Sequence, residues 1–211
     1  MSSQTASPVK YQTPLRKAQR ELTRSRIRDA ARELFYEHHY DTTTMDEIAL
    51  AAGLRRSTVY LHFKDKAEIL ADIIADYTPK ARAQLATLPG PEPTLKQIQR
   101  WMKKVMEFVA EERIPLSIII ELRRLNRANE QALRDLTTEL LSGLGENNAP
   151  FELAARPEAT PAQRARALML LQELTYACEM YLDDAEGEAC SKALLTVAAE
   201  DFHAFLRSDT P

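Results

Sequence analysis

One glycine, Gly53, separates two short helical patterns and constrains the fold more than any other feature of the chain. Before it, Thr44 and Glu47 have the three-residue spacing of a capping box at a helix N-terminus. Gly53 suits the left-handed conformation that ends a helix, and apolar residues resume at Leu54. Two short helices joined through a glycine turn predict a helix-turn-helix motif.

The rest of the chain is also expected to be helical, because apolar residues recur at spacings of three and four. Only 5 glycines and few β-branched runs argue against a sandwich, a barrel or a glycine-rich nucleotide-binding sheet. We predict an all-α protein of about nine helices. They are expected at about 21–37, 45–52, 54–63, 65–77, 94–111, 116–126, 129–144, 161–183 and 188–207, with a loop at 145–160.

The helices are expected to form two parts. Residues 1–18 hold two prolines and no helical period, which predicts a disordered basic arm. The helix-turn-helix domain is expected at 19–66, and a helical effector-binding and dimerisation domain at 67–211. The prolines at 79, 89, 91 and 93 predict breaks in the chain between residues 78 and 93.

Several classes of protein are disfavoured. No window holds 18 consecutive apolar residues, so we expect no membrane span, and the N-terminus lacks the apolar core of a secretory signal. Cys178 and Cys190 lack the spacing of metal ligands and are expected to be reduced thiols in a cytoplasmic protein. We expect no metal and no cofactor.

Charge is distributed unevenly, although the net charge is only −3. The first 32 residues contain eight basic and two acidic residues. A basic end on an acidic body is what docking on a polyanion such as DNA requires. The alternative is a solubilising tail with a solvated helix face. The basic residues are Lys10, Arg16, Lys17, Arg20, Arg24, Arg26, Arg28 and Arg32.

The second helix of the motif carries side chains that suit a DNA groove. Arg55 and Arg56 open it, and an arginine can take two acceptors of a guanine edge. Ser57 and Thr58 are candidates for base or phosphate contacts. Tyr60, His62 and Lys66, the last in the first turn of the next helix, are candidates for phosphate contacts. Alternatively, Tyr60 and His62 are core residues, as we expect of Phe63.

The stretches 44–54 (TMDEIALAAGL) and 57–70 (STVYLHFKDKAEIL) resemble the TetR, or tetracycline-repressor-like, family of regulators. The resemblance covers about residues 20–75. It implies a homodimer that binds a palindromic DNA operator, usually as a repressor, and is released by a small molecule. It also implies that Arg56, Ser57, Thr58 and Tyr60 face bases or phosphates, that His62 and Lys66 contact phosphates, and that Thr44 is the cap and phosphate position.

Two residues depart from the family pattern. His39 stands where the family usually has a glycine, at the left-handed end of the first helix, a conformation that histidine tolerates at some cost. Arg55 stands where a serine or threonine cap is common, so the recognition helix is expected to be weakly capped.

The C-terminal domain is expected to supply the dimer interface and the effector site. The last two helices are predicted to pair between protomers, because residues 168–182 are apolar on all sides. The predicted interface stripe is Leu168, Leu171, Leu194, Ala198 and Phe202. A hydrophobic or amphipathic effector is expected, and plain core packing is the alternative for each candidate residue. The candidates are Trp101, Met102, Val105, Met106, Ile119, Leu122, Tyr176 and Met180.

Two other functions remain open at this point. An α-helical enzyme would use carboxylates such as Glu121 and Glu173, or the pair His38 and His39. Adjacent histidines make a poor metal pair, however, and no HExxH spacing is present. The second alternative is a DNA-binding protein of the same fold without an effector, acting constitutively or as an architectural factor.

Overall fold

The computed structural model describes residues 14–124, 130–183 and 188–207. The predicted all-α class is confirmed, and the described part of the chain contains ten helices. They are α1 (Pro14–His38), α2 (Met45–Ala51), α3 (Arg56–Tyr60), α4 (Lys66–Leu85), α5 (Leu95–Glu111), α6 (Arg113–Arg124), α7 (Glu130–Gly145), α8 (Ala149–Ala155), α9 (Pro161–Asp183) and α10 (Glu188–Arg207).

The first three helices share a small apolar core. Ile27 and Phe35 of α1, Ile48 of α2 and Val59 of α3 are fully buried. Phe63 follows α3 and is also buried, as expected. These side chains fix the angle between α2 and α3, because closely packed cores leave little freedom for displacement.

Helix α4 packs on α1 at its start and on the C-terminal helices further along. Arg24 of α1 pairs with Asp72 of α4 at 2.8 Å. Arg28 reaches both Asp72 and Asp76, at 3.3 and 3.4 Å. Two arginines of α1 are therefore joined to carboxylates of α4. The prediction that these arginines face a polyanion is wrong for Arg24 and Arg28 in this structure.

Helix α4 also runs through a proline. Its predicted end near Tyr77 is wrong, since the helix continues past Pro79 to Leu85. Tyr77, Ala81 and Leu85 are buried on both sides of the proline. This burial outweighs the hydrogen bond that a proline inside a helix cannot donate.

The C-terminal part is built from α5, α7, α9 and α10 around the second half of α4. A close approach of α7 to α4 requires Gly143, where a Cβ atom would lie 2.7 Å from the carbonyl oxygen of Arg82. On the other side, Phe202 of α10 contacts the rings of Trp101 and Phe151, with centroids 5.7 and 5.6 Å apart.

Other boundaries also differ from the prediction: α3 spans only Arg56–Tyr60, and α6 begins at Arg113, before Pro115. Helix α1 begins at Pro14 rather than near Glu21, so residues 14–18 are not an arm. Proline is favourable in a first helical turn. The rest of the predicted arm, residues 1–13, lies outside the described residues. Helix α8 occupies part of the predicted loop 145–160, because Phe151 and Ala154 are buried between α7 and α9.

The two parts of the molecule also meet through α1 and α6. The Nδ1 atom of His39, just after α1, lies 3.2 Å from Oε1 of Glu121. One turn earlier on α1, the ring of Tyr36 faces the guanidinium of Arg113, 5.9 Å from the ring centroid. The end of α1 therefore lies beside α6, with Tyr36 near the first residue of α6 and His39 near its last turn.

Candidate nucleic-acid interface

The start of α2 is held by the predicted capping box. The backbone N–H of Glu47 donates to Oγ1 of Thr44 at 3.3 Å, and the N–H of Thr44 donates to the Glu47 carboxylate at 2.7 Å. The hydroxyl of Thr44 also donates to that carboxylate, at 2.8 Å. These hydrogen bonds lower the pKa of Glu47. The hydroxyl of Thr44 is therefore engaged locally, and the Glu47 carboxylate is ionised.

The turn between α2 and α3 requires its glycine. Gly53 has φ of +63°, and a Cβ atom there would lie 3.2 Å from Nη2 of Arg26. That guanidinium donates to the carbonyl of Ala52 at 2.7 Å. Arg26 thus stabilises the turn from α1, a role that the charge pattern does not reveal.

Helix α3 presents a set of exposed polar side chains, which we call the recognition surface: Arg55, Arg56, Ser57, Thr58 and Tyr60. Arg55, Arg56, Ser57 and Tyr60 are exposed, and Thr58 is half-buried. Arg55 is the N-cap residue and makes no side-chain capping hydrogen bond, as its departure from the family pattern predicted. Its guanidinium is therefore not used to close the helix end.

Arg56 is pre-positioned by two neighbours. Its Nη1 atom lies 2.7 Å from Oδ2 of Asp46 in the first turn of α2. Its Nη2 atom donates to the hydroxyl of Tyr60 at 3.4 Å, and its guanidinium lies 5.4 Å from the centroid of that ring. Both partners raise the pKa of Arg56, Tyr60 more than Asp46. Sequence reasoning missed Asp46, which lies ten residues away.

Lys66 lies on the inner side of this surface. Its ammonium donates to the carbonyls of Tyr40, Asp41 and Thr43 at 2.7, 2.9 and 3.0 Å. It also lies 4.6 Å from the centroid of the Tyr40 ring. All three donors are therefore occupied, and Lys66 ties α4 to the turn between α1 and α2. Its predicted phosphate contact would require some of these bonds to break.

His62 is half-buried after α3. Its Nδ1 atom is buried without a hydrogen-bond partner in the described part of the chain. Burial lowers the pKa of His62, and the positive charges of Arg20 and Arg24 lower it further. Arg24 also donates to the His62 carbonyl at 2.9 Å and covers the Phe63 ring. The imidazole is therefore neutral near pH 7.

The predicted effector residues are not brought together in one of the cavities formed by the described residues. Trp101, Met102, Val105, Met106 and Ile119 are buried core residues, whereas Tyr176 is exposed and Met180 is half-buried. Leu122 lines a cavity of about 650 Å³ between α6, α7, α8 and α9. Val105 lines a separate space of about 50 Å³ at the centre of the C-terminal part.

The residues of the predicted dimer-interface stripe are partly buried in the core and partly exposed. Leu171, Ala198 and Phe202 are buried within one protomer, which corrects the expectation that they face a partner. Leu168 is exposed and Leu194 is half-buried. The sequence could not separate these residues because α9 is apolar on nearly all sides. The large apolar side chains that do face outward on α9 and α10 include Met169, Tyr176 and Val197.

The residues considered for catalysis are otherwise engaged. Glu121 pairs with His39, and Glu173 of α9 has its pKa raised by burial and by the nearby Asp201. Within residues 14–124, 130–183 and 188–207, no three His, Cys, Asp or Glu side chains are grouped so that they could hold a metal ion. None of the described helices has the length and apolar character needed to cross a membrane.

The helix-turn-helix region is similar in sequence to known bacterial regulatory proteins. Residues 27–73 match the family model of bacterial regulatory proteins of the tetR family. The HTH-type transcriptional regulator SrpR of Pseudomonas putida is 41% identical over 70 residues, which cover 29% of this chain and 33% of that protein. The HTH-type transcriptional repressor BepR of Brucella suis is 41% identical over 58 residues, covering 28% of each. The matched part thus spans a third or less of these relatives.

The fold likeness extends much further than the sequence likeness. A solved structure of a TetR family transcription regulator from Marinobacter aquaeolei aligns with a TM-score of 0.63. The alignment covers 88% of this chain and 97% of that one, at 12% sequence identity. The C-terminal helices therefore share the architecture of that protein.

Proposed function

We propose, from the premise that this chain carries the DNA-binding domain of the TetR family of bacterial regulatory proteins, that it is a sequence-specific transcriptional regulator. It acts in the cytoplasm as a homodimer on a palindromic operator. It represses transcription until a small molecule bound in the C-terminal part releases it. No catalytic step is part of this proposal.

The observation that carries the DNA-binding role is the recognition surface. Arg55, Arg56 and Ser57 are exposed together at the start of a short helix, where side chains can reach base edges in a major groove. The helix is anchored from behind by buried Val59, by the Gly53 turn and by the α2 cap. These contacts hold the recognition surface in a fixed position, although a five-residue helix is unstable in isolation.

The charges around the recognition surface favour binding of a polyanion. Arg16, Lys17 and Arg20 on the first turns of α1 are exposed and extend the basic region beyond α3. Such charges give DNA affinity that does not depend on sequence and falls with salt. The bidentate capacity of Arg56 then supplies base discrimination once Asp46 is displaced.

The proposed dimer uses the outward sides of α9 and α10. Met169, Val197 and Tyr176 are 72%, 51% and 45% exposed, which are large fractions for apolar side chains on two helices that pack on each other. Small exposed residues, which allow close helix approach, lie on the same two helices at Ala165, Ala193 and Ala204. Pairing with a second copy would bury these residues in a four-helix arrangement.

The alternative without an effector has one observation in its favour. The centre of the C-terminal part leaves only about 50 Å³, which is too small for an organic effector. The larger cavity beside α6 favours the effector-controlled function instead. Loss of operator binding on adding a small molecule discriminates the two functions, because a constitutive factor has no such response.

The test is a binding selection from random duplex DNA near physiological salt with the wild-type chain, Arg56→Ala and a control. Arg100→Ala is the matched control, since Arg100 is an exposed arginine on α5. We expect both wild type and Arg100→Ala to enrich one palindrome, and Arg56→Ala to lose or relax it. A folded wild-type dimer that enriches no sequence would contradict the proposed function.

A further inference from the structure

The cavity beside α6 has a mixed lining of apolar and charged side chains. It measures about 650 Å³, within the range of small-molecule sites. Its charged groups are three arginines and one glutamate, which leaves two excess positive charges. The lining is Leu122, Arg123, Glu130, Leu133, Arg134, Thr137, Thr138, Leu141, Ala154, Ala155, Pro157, Arg164 and Leu168.

Two of the three arginines already have acceptors. Arg134 pairs with Glu130 one helical turn earlier, at 2.8 Å, and donates to Gln131 at 3.1 Å. Arg164, in the first turns of α9, donates to the carbonyl of Arg156 at 2.9 Å. Both are exposed, so water completes their hydration.

Arg123 differs from them. It is partly buried, and its Nη2 atom donates to Oγ1 of Thr137 at 3.0 Å. Among the described residues, its buried Nε atom has no hydrogen-bond partner and no carboxylate pairs with its charge. Burial lowers the pKa of Arg123, which reflects the cost of keeping this charge away from water. Such a charge usually has an anionic partner, and the cavity is the place where one can be added.

Resting on the proposed function, we propose that the effector is an amphipathic carboxylate whose anionic group binds Arg123 and Thr137. A carboxylate matches the paired donors of a guanidinium. The hydroxyl of Thr137 donates to the carbonyl of Leu133 at 2.8 Å and would turn from it to donate to the ligand. The hydrocarbon part would lie against Leu122, Leu133, Leu141 and Leu168, which are apolar and line the same cavity. The site therefore selects for charge at one end and for apolar volume at the other.

The position of Arg123 on α6 explains how binding of such a ligand could change the DNA-binding part. Glu121 lies two residues before Arg123 and contacts His39 at the end of α1. An anion that draws Arg123 into the cavity acts on the same segment of α6 that holds this contact. The ligand can shift the protein only through such a difference in contacts between two states.

The experiment is calorimetric titration of the full-length chain with octanoate and with octanamide, which have the same hydrocarbon chain but differ in charge. We expect wild type to bind octanoate at least about tenfold more tightly than octanamide, the ratio that ~1.4 kcal/mol produces. Arg123→Gln should remove this preference, and Arg123→Lys should keep part of it. Arg166→Gln is the control, because Arg166 is an exposed arginine of α9 that does not line the cavity, and it should behave as wild type.

Equal affinity of wild type for the acid and the amide, or no binding of either, would overturn the inference. A preference retained in Arg123→Gln would overturn it as well. Melting temperatures of all variants confirm that they are folded. DNA binding is measured separately on the same samples, so a wild-type chain that prefers octanoate but enriches no DNA sequence contradicts the proposed function and leaves the ligand assignment standing.

Discussion

His39 lies in the left-handed region, with φ of 67°, and its imidazole contacts the carboxylate of Glu121 on α6 at 3.2 Å. A position that glycine would fill most easily thus carries a side chain that joins the two parts of the molecule. Its carbonyl also accepts the hydroxyl of Thr43 at 2.9 Å and the backbone N–H of the same residue at 3.3 Å. The left-handed turn is therefore fixed by several neighbours.

Substitutions of His39 separate the contribution of its backbone conformation to stability from that of its side chain. The free energy of unfolding of His39→Gly should lie within about 1 kcal/mol of wild type, because relief of the left-handed strain offsets loss of the exposed contact with Glu121. His39→Val should lose roughly 1–2 kcal/mol, since a β-branched residue is strained there. Urea unfolding checks both variants, with Glu121→Gln reporting the pair alone. Equal stability of the valine and glycine variants would refute this account.

Asp46 is expected to restrain DNA binding. Asp46→Asn removes the carboxylate that neutralises Arg56 and repels nearby phosphates, so operator affinity should increase by roughly twofold to fivefold. Fluorescence anisotropy with the selected operator measures this affinity. The control is Asp46→Asn combined with Arg56→Ala, in which the gain should disappear. A weaker operator complex in Asp46→Asn would mean that the carboxylate positions Arg56 productively.

Lys66 is expected to matter more for stability than for direct DNA contact. Lys66→Met keeps the aliphatic stem but leaves three carbonyls without their donor, so the free energy of unfolding should fall by about 1–3 kcal/mol. Lys64→Met is the control, because Lys64 is exposed two residues earlier. Urea titration compares the two variants. If Lys66→Met keeps wild-type stability and only weakens DNA binding, the ammonium is a phosphate ligand.

The His62 imidazole is expected to make operator binding depend on pH. Its pKa is lowered in the free protein, and a phosphate contact would favour the protonated form, so binding takes up a proton. Affinity should therefore increase as the pH falls from about 7 towards the lowered pKa in the free protein. Anisotropy titrations between pH 5.5 and 8, at constant ionic strength, test this range. The same slope in His62→Gln would assign the effect to another group.

Cys178 is expected to be unreactive in the folded protein. Burial raises the pKa of its thiol to about 12, so only about one thiol in 10⁴ is ionised at pH 8. In Cys190→Ser, which leaves Cys178 as the remaining cysteine, a disulfide reagent should react only as fast as the chain unfolds. Reaction in urea shows that the thiol is intact, and rapid labelling without urea would contradict its burial.

The same shift has a consequence at alkaline pH. The unfolded thiol ionises near pH 8.5, whereas the folded thiol remains protonated. The unfolded state therefore releases a proton first, and the contribution of this group to stability is lost as the pH rises from about 8.5 towards 12. Cys178→Ala should unfold with a shallower alkaline dependence than wild type, which urea titrations at several pH values measure.

Local features of this fold were predictable because they depend on neighbouring residues. The capping box of Thr44 and Glu47, the glycine turn at Gly53 and the uncapped Arg55 all follow from chemistry within a few positions. The bounds of α9 and α10 also agree with their predicted ranges, since a proline after a threonine and a glycine between helices mark them.

Contacts between distant segments were not predictable in the same way. The partners of Lys66 lie more than twenty residues earlier, and they are backbone carbonyls that carry no signature in the sequence. Periodicity showed that Trp101 faces inward but not that it packs on the ring of Phe202. Arg123 stands in an ordinary amphipathic pattern, and its missing acceptor becomes visible only when the helices are assembled.

The proline inside α4 gives that helix one position, Pro79, at which it bends most easily. Pro79 has no N–H to donate to the carbonyl of Ala75, so α4 resists bending least at this position. Thirteen residues separate it from Lys66, a length of about 20 Å at ~1.5 Å per residue. A rotation of about 5° at Pro79 would then move the Lys66 end by roughly 1.7 Å. Because Lys66 holds the turn before α2, such a rotation would also displace that turn and the start of α2.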